Sequence, residues 1–362
     1  MPWGIPYLVI KYIGSKRVLI PWIVRTLQQV EAIEPIRSVC DLFSGTARVG
    51  HALKKRGCFV IANDLCTYAY TLAQALVEAD RQDYPSERIM PILEYLQSLP
   101  PQPDWFTRTY CEQARYFQPK NGARIEAIRN AVETEYSNNP LLKAILLTSL
   151  MLAADKVDST TGLQMAYLKE WAPRSYNDLR MEYPPLLPGR GEAYQADALE
   201  LAKQVSADLF YLDPPYNQHS YLGNYHVWET LVLWDKPSTY GVAQKRADVR
   251  TRTSDFNSKR RAKQAFTELV HSIRAKHLLV SFNDEGFFTS EEIEQILSEW
   301  GYVARLTRPH KRYIGAQIGI YNPKGERVGT VSHTTNHEFL FIATKSQAVY
   351  EALGANRLSV GV

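Results

Sequence analysis

The residues Asp213, Pro214, Pro215 and Tyr216 stand directly after an apolar run in "DLFYLDPPYN" (Asp208 to Asn217). They suit a reaction at the exocyclic amine of a nucleobase. Such an amine is a poor nucleophile because its lone pair is delocalised into the ring, so a catalyst must accept hydrogen bonds from the NH2 group as it pyramidalises. The Asp213 carboxylate and the Pro214 carbonyl can both accept. Proline has a fixed φ and no N–H, so Pro214 and Pro215 hold that carbonyl in one place. Tyr216 offers a ring on which a base turned out of a duplex can stack.

A second constellation lies earlier in the chain. "DLFSGTARVG" (Asp41 to Gly50) carries a glycine turn, and "CFVIAND" (Cys58 to Asp64) ends in an acid. In a doubly wound sheet, a glycine turn after the first strand lets a ligand approach the backbone, and an acid after the second strand grips a ribose. The turn lacks both the GxGxxG spacing of a dinucleotide loop and the Lys-Ser/Thr ending of a phosphate-cradling loop. What fits is a nucleoside without a pyrophosphate, and S-adenosylmethionine is such a ligand. Asp64 would hold its hydroxyls, and the turn at Asp41, Phe43, Ser44 and Gly45 its amino-acid tail. A purely structural turn is the alternative. Asp197 in "YQADALEL" could face the adenine end of the same ligand or cap the helix that follows it.

Both constellations need a scaffold that ends strands at one edge. "RSVCDLF" reads as a buried strand, Ala47 to Arg56 as a helix closed by Gly57, "CFVIAND" as a second strand, and Leu65 to Ala79 as another helix. Two β–α units in succession point to an α/β, Rossmann-like fold with a mostly parallel sheet. From about Tyr84 to Pro188 strand patterns nearly vanish, and stretches such as Leu141 to Lys156 read as helices. The expected organisation is therefore a catalytic domain made of residues 1–83 and 189–362, with a largely helical lobe inserted at 84–188. Strands return with "DLFYLD", "HLLVSFND", "YVARL" and "HEFLFIAT", with a helix from Ser290 to Trp300.

Composition is that of a soluble globular chain: 362 residues, 45% hydrophobic and 22% charged, with a net charge of only +4. Cys40, Cys58, Cys66 and Cys111 show neither zinc nor disulfide spacing and are expected to be reduced thiols. The apolar run Ile5 to Ile10 is too short for a secretory segment, so a soluble cytoplasmic protein with no membrane association is expected. His219 and His226 have no partner at metal-ligand spacing, and no metal is assigned.

Positive charge is concentrated locally. Lys245, Arg246, Arg250, Arg252, Lys259, Arg260, Arg261 and Lys263 face only Asp248 and Asp255, an excess suited to a phosphate backbone; a solvated loop is the plainer reading. A second stretch, "RLTRPHKRYIG", brings Arg305, Arg308, Lys311 and Arg312 into what reads as a loop after a strand. Tyr167, Trp171 and Tyr176 could stack on bases, although core packing is the commoner role for such rings.

Taken together, "KYIGSK" (Lys11 to Lys16), "DLFSGTARVG" and "DPPY" resemble, in content and order, the Dam-like family of S-adenosylmethionine-dependent DNA adenine-N6 methyltransferases. The resemblance implies that Tyr12 and Lys16 contact the cofactor, Asp64 its ribose, and Phe43 and Gly45 its methionine side. Asp213 would lie where cofactor and target amine meet. It also implies a flipped-out adenine in double-stranded DNA as substrate and a restriction endonuclease as a potential companion. "SYLGNYHVWETL" (Ser220 to Leu231) is similar to segments that help close the site, and 84–188 resembles a target-recognition region by position alone. The tetrapeptide also occurs in enzymes acting on cytosine N4, RNA bases or protein glutamine, and an inactive cofactor-binding DNA-binding module is a rival from another class. The acidic first position and the leading lysine motif favour DNA adenine.

Overall fold

A computed structural model describes residues 10–218, 220–311, 320–321, 327–329 and 335–356. Its strands, in chain order, are β1 (Ser38–Asp41), β2 (Phe59–Asn63), β3 (Glu192–Tyr194), β4 (Leu209–Leu212), β5 (Thr239–Tyr240), β6 (Lys245–Arg246), β7 (His277–Asn283), β8 (Tyr302–Lys311), β9 (Ile320–Tyr321), β10 (Arg327–Gly329) and β11 (Thr335–Thr344). Seven of them form one sheet in the order β3-β2-β1-β4-β7-β11-β8. The ladders from β3 through β7 are parallel, and β11 runs antiparallel to both of its neighbours. This is the mostly parallel, Rossmann-like sheet that the strand pattern predicts. β5 with β6 and β9 with β10 make two small ribbons.

The chain leaves β1 toward β2 and β3 on one side and returns to place β4 on the other. The crevice outside the carboxyl ends of β1 and β4 is therefore the switch point, the place where such sheets bind ligands. Asp41 closes β1 and Asp213 follows β4, so the topology aims both acids at this crevice.

β4 is buried at all four positions, and β7 at all seven, because helices cover both faces of the sheet. One face packs Val39, Val60, Tyr211 and Leu279 against helices, and the other packs Cys40, Phe210, Leu278 and Phe341. The helical stretch after Tyr84 shares the first of these clusters: Ile89, Leu93, Phe106, Ile145 and Leu150 are buried with the sheet residues. Its helix Pro140–Lys156 starts on Asn139, whose side chain accepts from the Leu142 N–H. Among the described residues, no helix is long and apolar enough to cross a membrane.

Two elements differ from the sequence reading. β3 is only three residues long and carries little hydrophobic pattern; it exists because it pairs with β2, and a Cβ at the preceding Gly191 would lie 2.6 Å from the Val60 carbonyl oxygen. The segment around Arg305, Arg308 and Lys311, expected to be a loop, instead belongs to β8. Its ten residues pair with the whole of β11, and Pro309 is tolerated because β8 is an edge strand. Arg312 lies outside the described residues.

Candidate active site

The wall of the crevice begins with the turn after β1. Gly45 has φ +52, a left-handed value suited to glycine, and a Cβ there would stand 3.3 Å from the Tyr12 ring. The Gly45 N–H donates to Asp64 Oδ2 (2.9 Å), and the Cys66 N–H donates to Oδ1 (2.9 Å). Asp64 thus binds two loops together while lining the cavity. Burial, opposed by these N–H donors, pushes its carboxyl up to about 6. Asn63, buried one residue earlier, donates from its amide to the Leu42 and Ala196 carbonyls and accepts from the Ala196 N–H. It stitches the loops after β1, β2 and β3 together, a role that sequence spacing did not signal.

Asp41 is buried to 1% exposure and accepts the Gly50 N–H at Oδ2 (2.8 Å), while its Oδ1 has no hydrogen-bond partner. Burial pushes this carboxyl up to about 7. The hydroxyl of Ser44 is likewise buried and unpartnered, and both residues line the cavity. Unmet polar atoms of this kind are costly unless a ligand answers them. Phe43 adds an apolar wall, edge-on to Phe256 at 5.2 Å. Asp197 caps the helix Ala198–Gln204 through the Leu199 and Glu200 N–H groups and also lines the cavity, so its two readings are compatible.

Tyr12 lies between two rings from the segment after DPPY: Tyr225 at 4.5 Å and Tyr221 at 5.2 Å, both nearly parallel to it. Its hydroxyl meets that of Tyr68 at 3.1 Å. The stack fastens the leading motif onto the helices Tyr221–Asn224 and His226–Leu233, and brings Lys16 under the end of β4. Lys16, only 7% exposed, places Nζ 2.9 Å from Asp213 Oδ1. Burial opposes its charge, but Asp213 and the polar groups around it hold the ammonium above the ordinary lysine range.

Asp213 Oδ1 also accepts from Ser281 Oγ (2.9 Å), which is 2.9 Å from the Tyr211 hydroxyl. One carboxylate oxygen is therefore fixed from two directions and the other is left for an incoming donor. Pro215 lines the cavity. Tyr216 packs on Phe282 at 4.9 Å, receives Asn283 Nδ2 on its hydroxyl (2.9 Å) and the Phe287 N–H on its carbonyl (2.8 Å), and has Lys16 Nζ 5.9 Å from its ring centre. A fixed acceptor, Asp213, thus lines the same cavity as Asp41, Ser44 and Asp64, with the Tyr216 ring close after it in the chain.

Residues 12–296 match the family model for "D12 class N6 adenine-specific DNA methyltransferase". The chain belongs to this family. It is 29% identical over 351 residues to the type II methyltransferase M.NlaIII of Neisseria lactamica, covering 91% of this chain and 97% of that protein. It is 30% identical over 321 residues to modification methylase StsI of Streptococcus sanguinis, covering 84% and 48%, and 30% identical over 367 residues to M.FokI of Planomicrobium okeanokoites, covering 96% and 54%. The chain therefore spans about half the length of the latter two relatives and nearly all of the first.

In this methyltransferase the basic segment is not one uniform surface. Arg246, counted with the phosphate-binding cations from sequence, is 2% exposed and is held by Asp235 (2.7 Å) and Asp248 (3.0 Å); it is a structural ion pair, because the hairpin β5–β6 turns it inward. Arg252 also faces inward, pairing with fully buried Glu229 (2.8 Å) and lining the cavity. Glu229 in turn accepts from Thr67 Oγ1 and the Tyr68 N–H.

Arg250 is exposed, with its guanidinium 4.0 Å from the Tyr240 ring centre; Lys245 is half-buried; Lys259 and Arg260 are exposed. Arg261 pairs with Asp255 and Lys263 with Glu292 at the surface. On β8, Arg305 pairs with Glu291 and Glu294, and Arg308 is exposed. Tyr167 packs edge-on to buried Tyr116, and Trp171 lies under Arg115, so both have structural partners. Tyr176 is exposed. His226 is buried and bonded to the Gln164 carbonyl; His219 is outside the described residues, and no metal-ligating cluster occurs among those described. All four cysteines are free and buried.

Proposed function

We propose that this chain methylates N6 of an extruded adenine at a specific site in double-stranded DNA, using S-adenosylmethionine. The observation that carries this reading is that unmet polar atoms, Asp41 Oδ1 and Ser44 Oγ, and a restrained acceptor, Asp213, belong to residues lining one cavity. S-adenosylmethionine supplies the methyl group when bound. Asp64 suits the ribose hydroxyls, Phe43 and Gly45 the methionine side, and Tyr12, Lys16, Asp41, Ser44 and Asp197 complete the set that would hold it.

Asp213 and the Pro214 carbonyl accept from the target amine, Pro215 keeps the loop rigid, and Tyr216 stacks on the base. Orientation and electrostatic support are the main contributions of the protein, and no covalent enzyme intermediate is required. Lys245, Arg250, Lys259, Arg260, Arg261, Lys263 and Arg308 are the candidate phosphate contacts, together with Lys311 and Arg312. The helical stretch 84–188 is the candidate target-recognition region. Since the relatives named above are modification or type II methyltransferases, we assign a cytoplasmic host-protection role beside a cognate endonuclease.

The test is expression in a host that lacks adenine methylation, followed by sequencing that reads modified bases. N6-methyladenine within one short motif is the expected result. Unmodified genomic DNA, or methylation on cytosine, would overturn the reading.

A further inference from the structure

The contact between Lys16 and Asp213 poses a problem for any reaction at this site. The target amine would take the open oxygen of Asp213, so one carboxylate would then be shared between the amine and an ammonium that is 7% exposed. A buried charge is not released without another partner, because desolvation makes it strongly unfavourable. A second carboxylate acts electrostatically on Lys16. Glu338, on β11, is in register with Asn283 on β7, the residue whose amide also holds the Tyr216 hydroxyl. Its Oε2 is buried and has no hydrogen-bond partner. Lys16, Asp213 and Tyr216 all lie within its electrostatic reach.

We propose that Glu338 is the alternate counter-ion of Lys16: when the target amine engages Asp213, the Lys16 ammonium turns from Asp213 to Glu338. No covalent bond changes and no proton is transferred in this step; a cation exchanges one carboxylate for another. Glu338 is thereby a positioning residue that acts through Lys16. Burial raises the Glu338 carboxyl above the ordinary range while Lys16 opposes the rise, so an approaching ammonium favours the charged form.

This inference rests on the adenine-methylation reading, and its test separates the two. Glu338→Gln keeps the shape and removes the charge. It is expected to lower kcat roughly 10- to 100-fold while leaving KM for DNA nearly unchanged. The variant is also expected to lose the preference of the wild type for a duplex with adenine at the target position over one with purine, which lacks the amine. In a Lys16→Met background the same substitution should cost no further preference, a binding measurement that does not require turnover. Glu338→Asp, which retains the charge, should recover part of the loss.

Wild-type kcat in Glu338→Gln, an undiminished effect in the Lys16→Met background, or Glu338→Asp no better than Glu338→Gln would each overturn the counter-ion role. A wild-type protein that methylates no adenine would overturn the functional reading itself.

Discussion

The enclosed centre at Lys16 and Asp213 and the basic segment from Lys245 to Lys263 are both rich in charge, yet they use it in opposite ways. At the centre, one ammonium and a few carboxylates are held where water is scarce, so each partner matters. In the basic segment eight cations are close in sequence, but Arg246 and Arg252 point inward to Asp235, Asp248 and Glu229, and Arg261 and Lys263 are paired at the surface. Proximity in sequence is therefore a poor measure of charge available to a ligand. The fold decides which cations face outward.

The strongest way to break this contrast is at Asp213. Asp213→Ala should lower turnover at least about 10³-fold while the protein stays folded, since it removes the acceptor we propose for the target amine. Wild-type rate in a methyl-transfer assay would remove the centre from catalysis.

Within the basic segment, inward and outward cations should respond differently. Arg246→Ala is expected to destabilise the fold by roughly 2–3 kcal/mol in denaturant unfolding, less than a wholly enclosed pair because Asp235 and Asp248 reach solvent. Lys259→Gln with Arg260→Gln should leave stability nearly unchanged. These two substitutions should reduce the slope of log binding constant against log salt by roughly 1–2. Equal effects in both assays would erase the distinction between the two sets.

Asp41 sharpens the comparison from the centre's side. Its folded pKa, about 7, lies above the ordinary aspartate value, so the folded chain holds the proton more tightly than the unfolded chain. Stability should consequently fall as pH rises from about 4 to about 7, with the full loss present above that range. Asp41→Asn should abolish that loss and raise the melting temperature at pH 8 relative to wild type, while weakening binding of the methyl donor. A melting difference that does not change between pH 5 and pH 8 would show that burial of this carboxyl is not limiting.

Much of the scaffold was legible because buried parallel strands are continuous apolar runs with distinctive ends. Asp41 closes one such strand, Asp64 and Asp213 each follow another directly, and all three line the cavity at the switch point. β3 was not legible, since three residues that depend on β2 for pairing carry no pattern of their own. The later part of β8 was misread as a loop, because its pairing comes from β11, a strand more than twenty residues away. Ser281 and Asn283 were missed for a related reason: their side chains reach the site from β7, and nothing in their local sequence indicates a partner.

The sequence by itself determined the family, the sheet that carries it, and the acid, glycine turn and double proline at its edge. Those features are local, and their chemistry follows from residue type and order. Tertiary structure alone decided that Lys16 reaches Asp213, that Tyr12 is clasped by Tyr221 and Tyr225, that Arg246 is structural, and that Glu338 comes into register with Asn283. Each of these depends on which side chains are brought together and screened from water, a property of packing that spacing along the chain does not encode.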